Sequence, residues 1–474
     1  MSGAAWFAYV AILAWPLAAL GLYRIRPFSE ATAWVVLGAL LLLPSQVSIK
    51  FEMIPSIDKT LVGNLSMLAG CLFFAPRTKG VFSLFSIVGL LAVTYVLSPV
   101  VTSALNGDDA LVGGRLLPGV GYYDGVSALI SQTIVFLPFL LARRFLASTK
   151  DVETLLRVLV VAGLLYSLPM LFEIRMSPQL SQWIYGYFPS SYATEARYGG
   201  FRPVVFMVNG LATAFFLATA LLAAAALWRT KVRVSPLPST VSFAYLGLVL
   251  VLCKSAGALL YGLVAGTMAR WSTPKFQVRV AVVLASIALM YPVLRLNGYI
   301  PAQSLVELAS TFNKDRAQSL HVRFEQEDRL LTHAAERFWF GWGRYGRSRV
   351  YDERGEDTTL SDGQWIITFG QFGLVGFIAQ FGLLTLPVFS CWRVISRLQL
   401  VREGTLVGTL ALIVALTAIE QLPNASTSPW SWLLAGALFG VSERIRLGRR
   451  LSPTSASARN QPNSLRINRI SSPA

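Results

Sequence analysis

The chain has 474 residues, of which 54% are hydrophobic and only 14% charged, and its mean hydropathy is +0.56. That excess of apolar residues excludes an ordinary soluble globular protein of this length and fits a chain that crosses a membrane many times. A net charge of +17 would suit nucleic acid, but the basic residues sit in short clusters between apolar runs, as in cytoplasmic loops, so nucleic-acid binding is set aside.

A helix needs about twenty apolar residues to cross the hydrocarbon core. Such runs fall near 4–23, 30–46, 60–76, 81–104, 125–142, 152–172, 204–228, 239–253, 256–269, 279–297, 364–388, 404–422 and 428–445. The first has no basic residue before it, and Arg24 and Arg26 follow it, the reverse of a cleaved signal peptide. It reads as a retained helix whose N-terminus is outside. The clusters Arg24/Arg26, Arg77/Lys79, Arg143/Arg144/Lys150, Arg229/Lys231/Arg233, Arg270/Lys275/Arg279, Arg393/Arg397/Arg402 and Arg444 to Arg450 then share the cytoplasmic side. This predicts an all-α polytopic membrane protein of about 12–13 transmembrane helices with one long outer-facing loop.

The runs 239–253 and 256–269 are each short for a full crossing. Read as one helix they place the basic loop after Arg270 outside; read as two helices meeting at Lys254-Ser255 they keep the charge pattern. A lysine at such a junction is costly unless it faces a polar cavity or another charge, which makes Lys254 a candidate site residue. The alternative is a lysine that snorkels to the interface. Cys71, Cys253 and Cys391 lie in or beside apolar runs without metal-ligand spacing and read as buried thiols.

The chain thus divides into a membrane part over 1–297 with about ten spans, a long outer loop over 298–363, a second membrane part over 364–446 with about three spans, and a tail over 447–474. Ser, Pro, Asn and Arg dominate the tail, which predicts disorder. The outer face receives 45–59, 106–124, 173–203, the long loop and 421–427. Within the long loop, Arg323 to Phe338 has helical spacing of apolar and polar residues and predicts an amphipathic helix.

Arg197 and Arg202 in one outer loop, and Arg323, Arg329 and Arg337 in the other, offer guanidinium groups that match phosphate oxygens. Trp339, Trp342, Tyr345 and Trp365 add flat surfaces for sugar rings. Cations with aromatic surface at a membrane edge suit a lipid-linked sugar diphosphate; a solvated loop with an interfacial aromatic belt is the plainer alternative. Group transfer would need a base, and the candidates are Asp362, Asp352, Asp357, His333 and His321. Asp362 stands just before a membrane helix, where it can be held rigidly or, with Ser361, simply cap the helix. There is no HExxH, paired CxxC or Gly-rich phosphate loop, and neither a metal nor a cofactor is indicated.

Three features resemble the O-antigen ligase and Wzy-type polymerase superfamily of bacterial polysaccharide assembly. They are the late outer loop, the run Arg323 to Gly343 ending in Trp339-Phe340-Gly341-Trp342-Gly343, and Asp362 followed by a helix with Gly373-Leu374-Val375-Gly376. Two shorter stretches, Arg197 to Pro203 and Lys254 to Gly257, are similar to the family's earlier arginine loop and hairpin. Ligases of the family carry a His eleven residues before the first Gly of this pair, and Asp362 occupies that place, which favours the polymerase side.

The resemblance implies a GT-C-like membrane enzyme that carries out metal-independent, inverting glycosyl transfer at the outer face of the bacterial cytoplasmic (inner) membrane. Its donor would be an undecaprenyl diphosphate-linked glycan. Arg323, Arg197 and Arg202 would hold the diphosphate, Asp362 would act as base with His333 in reserve, and Lys254, Arg329 and Trp342 would add substrate contacts. Implied partners are membrane lipid and a chain-length regulator or flippase of the same pathway; transfer to another acceptor, as in a ligase, is the near alternative. A transporter or flippase of envelope glycolipids, and a non-catalytic scaffold, are the competing classes. Few charges lie deep in spans, chiefly Glu420 and Lys254, and no inverted repeat is evident.

Overall fold

The computed structural model describes residues 3–51, 54–76, 86–188, 192–197, 199–234, 238–312, 314–359, 362–425 and 427–451. The helices in chain order are α1 (Gly3–Ile25), α2 (Phe28–Leu42), α3 (Lys59–Phe74), α4 (Ile87–Ala104), α5 (Tyr122–Phe145), α6 (Thr149–Met176), α7 (Leu180–Tyr185), α8 (Tyr192–Glu195) and α9 (Gly210–Arg229). They continue with α10 (Ser239–Leu252), α11 (Ala256–Trp271), α12 (Pro274–Leu296), α13 (Ala302–Phe312), α14 (Lys314–Ala335), α15 (Gln364–Trp392), α16 (Val401–Glu420) and α17 (Pro429–Leu451). Strands among the described residues form three two-stranded hairpins, the last pairing Ala196–Arg197 with Gly200–Phe201.

Among the described residues eight helices, α1, α4, α5, α6, α9, α12, α15 and α16, are long and apolar enough to cross a membrane. The chain is a multi-pass, all-α membrane protein. Large apolar side chains such as Leu17, Phe73, Leu90, Leu168 and Leu260 face outward, where lipid tails would cover them. The runs at 239–253 and 256–269 form two helices, α10 and α11, and the reversal between them places Lys254 in the left-handed region at φ 54°.

α16 is the axis of the bundle, buried at every residue from Gly404 to Ala418. α9, rich in alanine, lies beside it and lets α6, α10 and α11 approach closely. Gly436 and Gly440 of α17 sit against the carbonyls of Phe139 and Arg143 on α5, with no room for a Cβ. At one end of the bundle the basic residues join the helices. Arg143 pairs with Glu443 at 2.8 Å, Arg402 with Glu153 at 2.7 Å, and Ser29 donates to Asp151 at 2.6 Å. The other end carries the polar loops.

α15 is broken at Gly373, whose φ of 65° and ψ of −166° interrupt the helix. The groups freed by the break are bonded to the segment Phe338 to Gly343. Leu374 N donates to Phe338 O at 2.8 Å and Val375 N to Trp339 O at 3.2 Å, while Trp342 N and Gly343 N donate to Gly370 O and Gln371 O at 2.9 Å each. A Cβ at Gly341 or Gly373 would overlap the opposing backbone, so both positions require glycine. The two glycine motifs noted in the sequence are therefore the two halves of one backbone junction.

Several boundaries differ from the sequence reading. The amphipathic helix starts at Lys314 rather than Arg323 and is preceded by α13, because charged residues at its start hide a helix that packs with only part of its length. Asp362 does not cap α15: the cap position is Gly363, without a side-chain bond. α17 runs to Leu451, so 447–451 are helical, where the sequence reading has tail; residues 452–474, the rest of it, lie outside the described residues, as do Arg77, Lys79 and Ser361.

Candidate functional site

At the loop end of the bundle a cavity of about 730 Å³ opens between the 194–202 segment, α9, α11, α14, α16 and the residue before α15. Arg197, Arg202, Arg323 and Asp362 line it together with Glu195, Ser255, Tyr261, Ser319, Glu420 and Asn424. Segments far apart in sequence thus meet in one place.

Arg323 is positioned by α14. Ser319 lies one turn before it on the cavity side, and Glu327 lies one turn after it. Glu327 docks the helix to the bundle. Its carboxylate accepts from Trp365 Nε1 and Tyr291 Oη at 3.2 Å each and faces Arg295 at 3.5 Å, and the next residue, Asp328, pairs with Arg295 at 2.9 Å. Burial pushes the Glu327 carboxyl above its usual range against the pull of Trp365, Arg295 and Tyr291. From this dock Arg323 Nε reaches Asp362 Oδ2 at 3.2 Å. Both groups remain partly exposed, which leaves the pair open to exchange.

The second arginine cluster is held by its own scaffold. Glu173, buried at the end of α6, accepts from Val204 N at 2.8 Å and Val205 N at 2.7 Å and fixes the approach to α9. Arg202 is 8% exposed, and its guanidinium faces Glu195 at 3.5 Å. Glu195 also accepts from Gly210 N at the start of α9. Arg197 is exposed and has no carboxylate in ion-pair range among the described residues. Lys254 Nζ donates to Arg197 O at 3.0 Å, so the lysine between α10 and α11 ties down the hairpin that presents Arg197.

Three guanidinium groups, of Arg197, Arg202 and Arg323, face three carboxylates, of Glu195, Asp362 and Glu420. The cavity therefore sets acidic groups beside its arginines rather than presenting guanidinium groups alone. A second, mainly apolar cavity of about 270 Å³ shares Tyr261, Arg323, Asp362 and Pro423 with the first and is otherwise walled by residues such as Leu320, Phe324, Leu330, Ile366 and Ile419. Charge and apolar space thus adjoin at one ion pair.

Several of the residues singled out in the sequence lie elsewhere. Arg329 pairs with Glu325 at 2.7 Å on the solvent face of α14. His333 is buried, donates from Nε2 to Arg347 O at 2.9 Å and stacks on Trp342 at 4.5 Å. Trp342 is itself buried, with Nε1 donating to His333 O at 2.8 Å. Both lie beside Arg347, which is itself buried and donates to the carbonyls of Asp108 and Pro118 in the loop after α4. Asp352 and Asp357 bond to their own loop, and His321 is exposed on α14.

Glu195, Ser255 and Asn424 are cavity residues that the sequence reading does not single out, and Glu420 appears there only as a deep charge. Asn424 Nδ2 donates to Glu420 Oε1 at 2.6 Å, closing the wall beside α16. Glu195 is signalled by its place in the same loop as Arg202, as the counter-charge that a buried arginine requires. Among the described residues no group of three or more His, Cys, Asp or Glu side chains is arranged to hold a metal ion. Neither a protein-family model nor a curated protein matches the chain.

Proposed function

We propose that this protein is a glycosyltransferase that uses a lipid diphosphate-linked glycan as donor and extends it in the manner of a Wzy-type polymerase. The observation that carries the reading is the meeting of Arg197, Arg202, Arg323 and Asp362 around one cavity that adjoins an apolar one at the Arg323–Asp362 pair. A diphosphate joined to a prenyl chain and a sugar needs this combination: cations for the phosphates, apolar space for the lipid, and a carboxylate near the reacting carbon.

In this account the diphosphate displaces Asp362 from Arg323 and takes the guanidinium groups of Arg323 and Arg197. The freed Asp362 carboxylate accepts the proton of an acceptor hydroxyl as that oxygen bonds to the anomeric carbon of the donor. The bond from that carbon to the diphosphate breaks with inversion, and the arginines stabilise the negative charge on the leaving group. Arg202, paired with Glu195, shapes the cavity wall, and Lys254 keeps Arg197 in place.

In the same account the helices α1–α6, α9–α12 and α15–α17 make thirteen passes, the basic end lies in the cytoplasm, and the cavity faces outward from the bacterial cytoplasmic membrane in a GT-C-like arrangement. The break in α15 would favour a transporter if its freed backbone lined a water-filled path. Those groups are instead bonded to Phe338, Trp339, Trp342 and Gly343, which removes the force of that alternative. The reading is tested by the lipid-linked glycans of cells carrying Arg323→Gln at normal protein level. Accumulated single repeat units support it, accumulated long lipid-linked chains point to a ligase, and an unchanged profile overturns it.

A further inference from the structure

A second polar pocket, of about 230 Å³, lies on the other side of the loop that joins α16 to α17. Its walls include Gln132 of α5, Gln364, Thr368, Gln371 and Gln380 of α15, and Arg344. Gln364 Nε2 donates to Thr368 Oγ1 at 3.1 Å, and Thr368 Oγ1 donates to Gln380 Oε1 at 3.0 Å, which makes a hydrogen-bonded ladder down one wall. The pocket is too large to be a niche for a single water.

Two groups in it are incomplete. Gln132 is 6% exposed, and its Oε1 has no hydrogen-bond partner among the described residues. A buried amide oxygen left so costs about 1–3 kcal/mol, and native proteins keep such groups where something else completes them. Arg344 has no carboxylate in ion-pair range among the described residues, and its guanidinium carbon lies 6.0 Å from the Phe372 ring. Partial burial pushes its guanidinium pKa down.

Amides and hydroxyls in a ladder match the hydroxyls of a sugar, an aromatic ring offers a surface for its C–H face, and a half-buried cation with no carboxylate in range among the described residues calls for an acidic substituent. We propose that this pocket is a subsite for an acidic glycosyl residue of uronate type, with its carboxylate on Arg344 and its hydroxyls on Gln132 and the α15 ladder. This rests on the glycan-transfer reading and narrows its substrate. A cavity of about 160 Å³ borders both regions: it shares Asn209 and Asn424 with the arginine cavity, and Thr60 and Ser428 with the amide pocket. Asp362 and Gln364 stand on either side of Gly363, so one helix start borders both.

The test uses the purified full chain in lipid nanodiscs with methyl β-glucuronide and methyl β-glucoside at millimolar concentration, read by saturation-transfer NMR. The glucuronide is expected to bind in preference to the glucoside, to lose about tenfold in affinity or more with Arg344→Gln, a loss equivalent to ~1.4 kcal/mol, and to keep its preference with Arg344→Lys. It should bind unchanged to Arg323→Gln. Equal binding of the two sugars, binding insensitive to Arg344→Gln, or binding of neither overturns the proposal. If the glucuronide behaves as stated while the chain transfers no glycan, the subsite stands and the transfer reading falls.

Discussion

Arg323 Nε and Asp362 Oδ2 lie 3.2 Å apart, joining the helix of the long loop to the start of α15 in a pair whose side chains are 34% and 53% exposed. A pair so exposed contributes only about 0–1 kcal/mol to stability. Asp362→Asn and Arg323→Gln should therefore leave thermal stability nearly unchanged. As a base and a phosphate ligand, however, the two residues should each matter by about 10²–10⁴-fold in turnover. Melting curves and turnover measured on the same preparations check this; loss of both together would mark the pair as structural.

The junction between Phe338–Gly343 and the break in α15 predicts a different phenotype. Gly373→Ala and Gly341→Ala combine a left-handed φ, at about 1–3 kcal/mol, with overlap against opposing backbone. Both variants should fall sharply in membrane level and melting temperature. Gly298→Ala has a similar φ of 69° but open space around the added methyl, and should lose only about 1–2 kcal/mol.

His333 gives the reverse of the Asp362 result. Its ring bonds to Arg347 O and stacks on Trp342, away from the cavity. His333→Ala should cost about 1–3 kcal/mol of stability through the lost bond and packing, with turnover per folded molecule unchanged. A large drop in turnover with normal stability would restore it as a candidate base.

Glu327 supplies a pH signature. Its folded-state pKa is raised by burial, so between the ordinary glutamate value of about 4.3 and the raised one the folded protein binds more protons than the unfolded. Stability must then fall as pH rises through that window, and the dock of α14 should loosen. Hydrogen exchange of α14 amides against pH should show this in the natural protein and not in Glu327→Gln, which cannot ionise.

Much of the bundle is readable in the sequence because hydropathy over twenty residues reports a crossing helix directly, as in α6, α9 and α16. Charge does the same for α10 and α11, which no apolar count separates. The cavity is harder. Residue type picks out Arg197, Arg202, Arg323 and Asp362, but their common lining depends on how α14 docks through Glu327, and an acid between two arginines in the loop gives no hint of that. Nor is the break at Gly373 visible, since Gly-Leu-Val-Gly continues an apolar run and the bonds that replace the helix come from a distant segment. His333 and Trp342 mislead for a related reason. In a polar loop a histidine and a tryptophan look like ligands, yet these two are buried against each other and beside Arg347, whose side chain bonds to the loop after α4.

The most direct measurement is transfer itself: the purified chain in nanodiscs, given polyprenyl diphosphate-linked repeat units, with lengthened lipid-linked glycan and released prenyl diphosphate quantified together. The account predicts both products in equal number of turnovers for the natural chain and neither above background for Arg323→Gln at equal stability. Substrate moved or bound without chain lengthening, or lengthening that persists undiminished in Arg323→Gln, would contradict it.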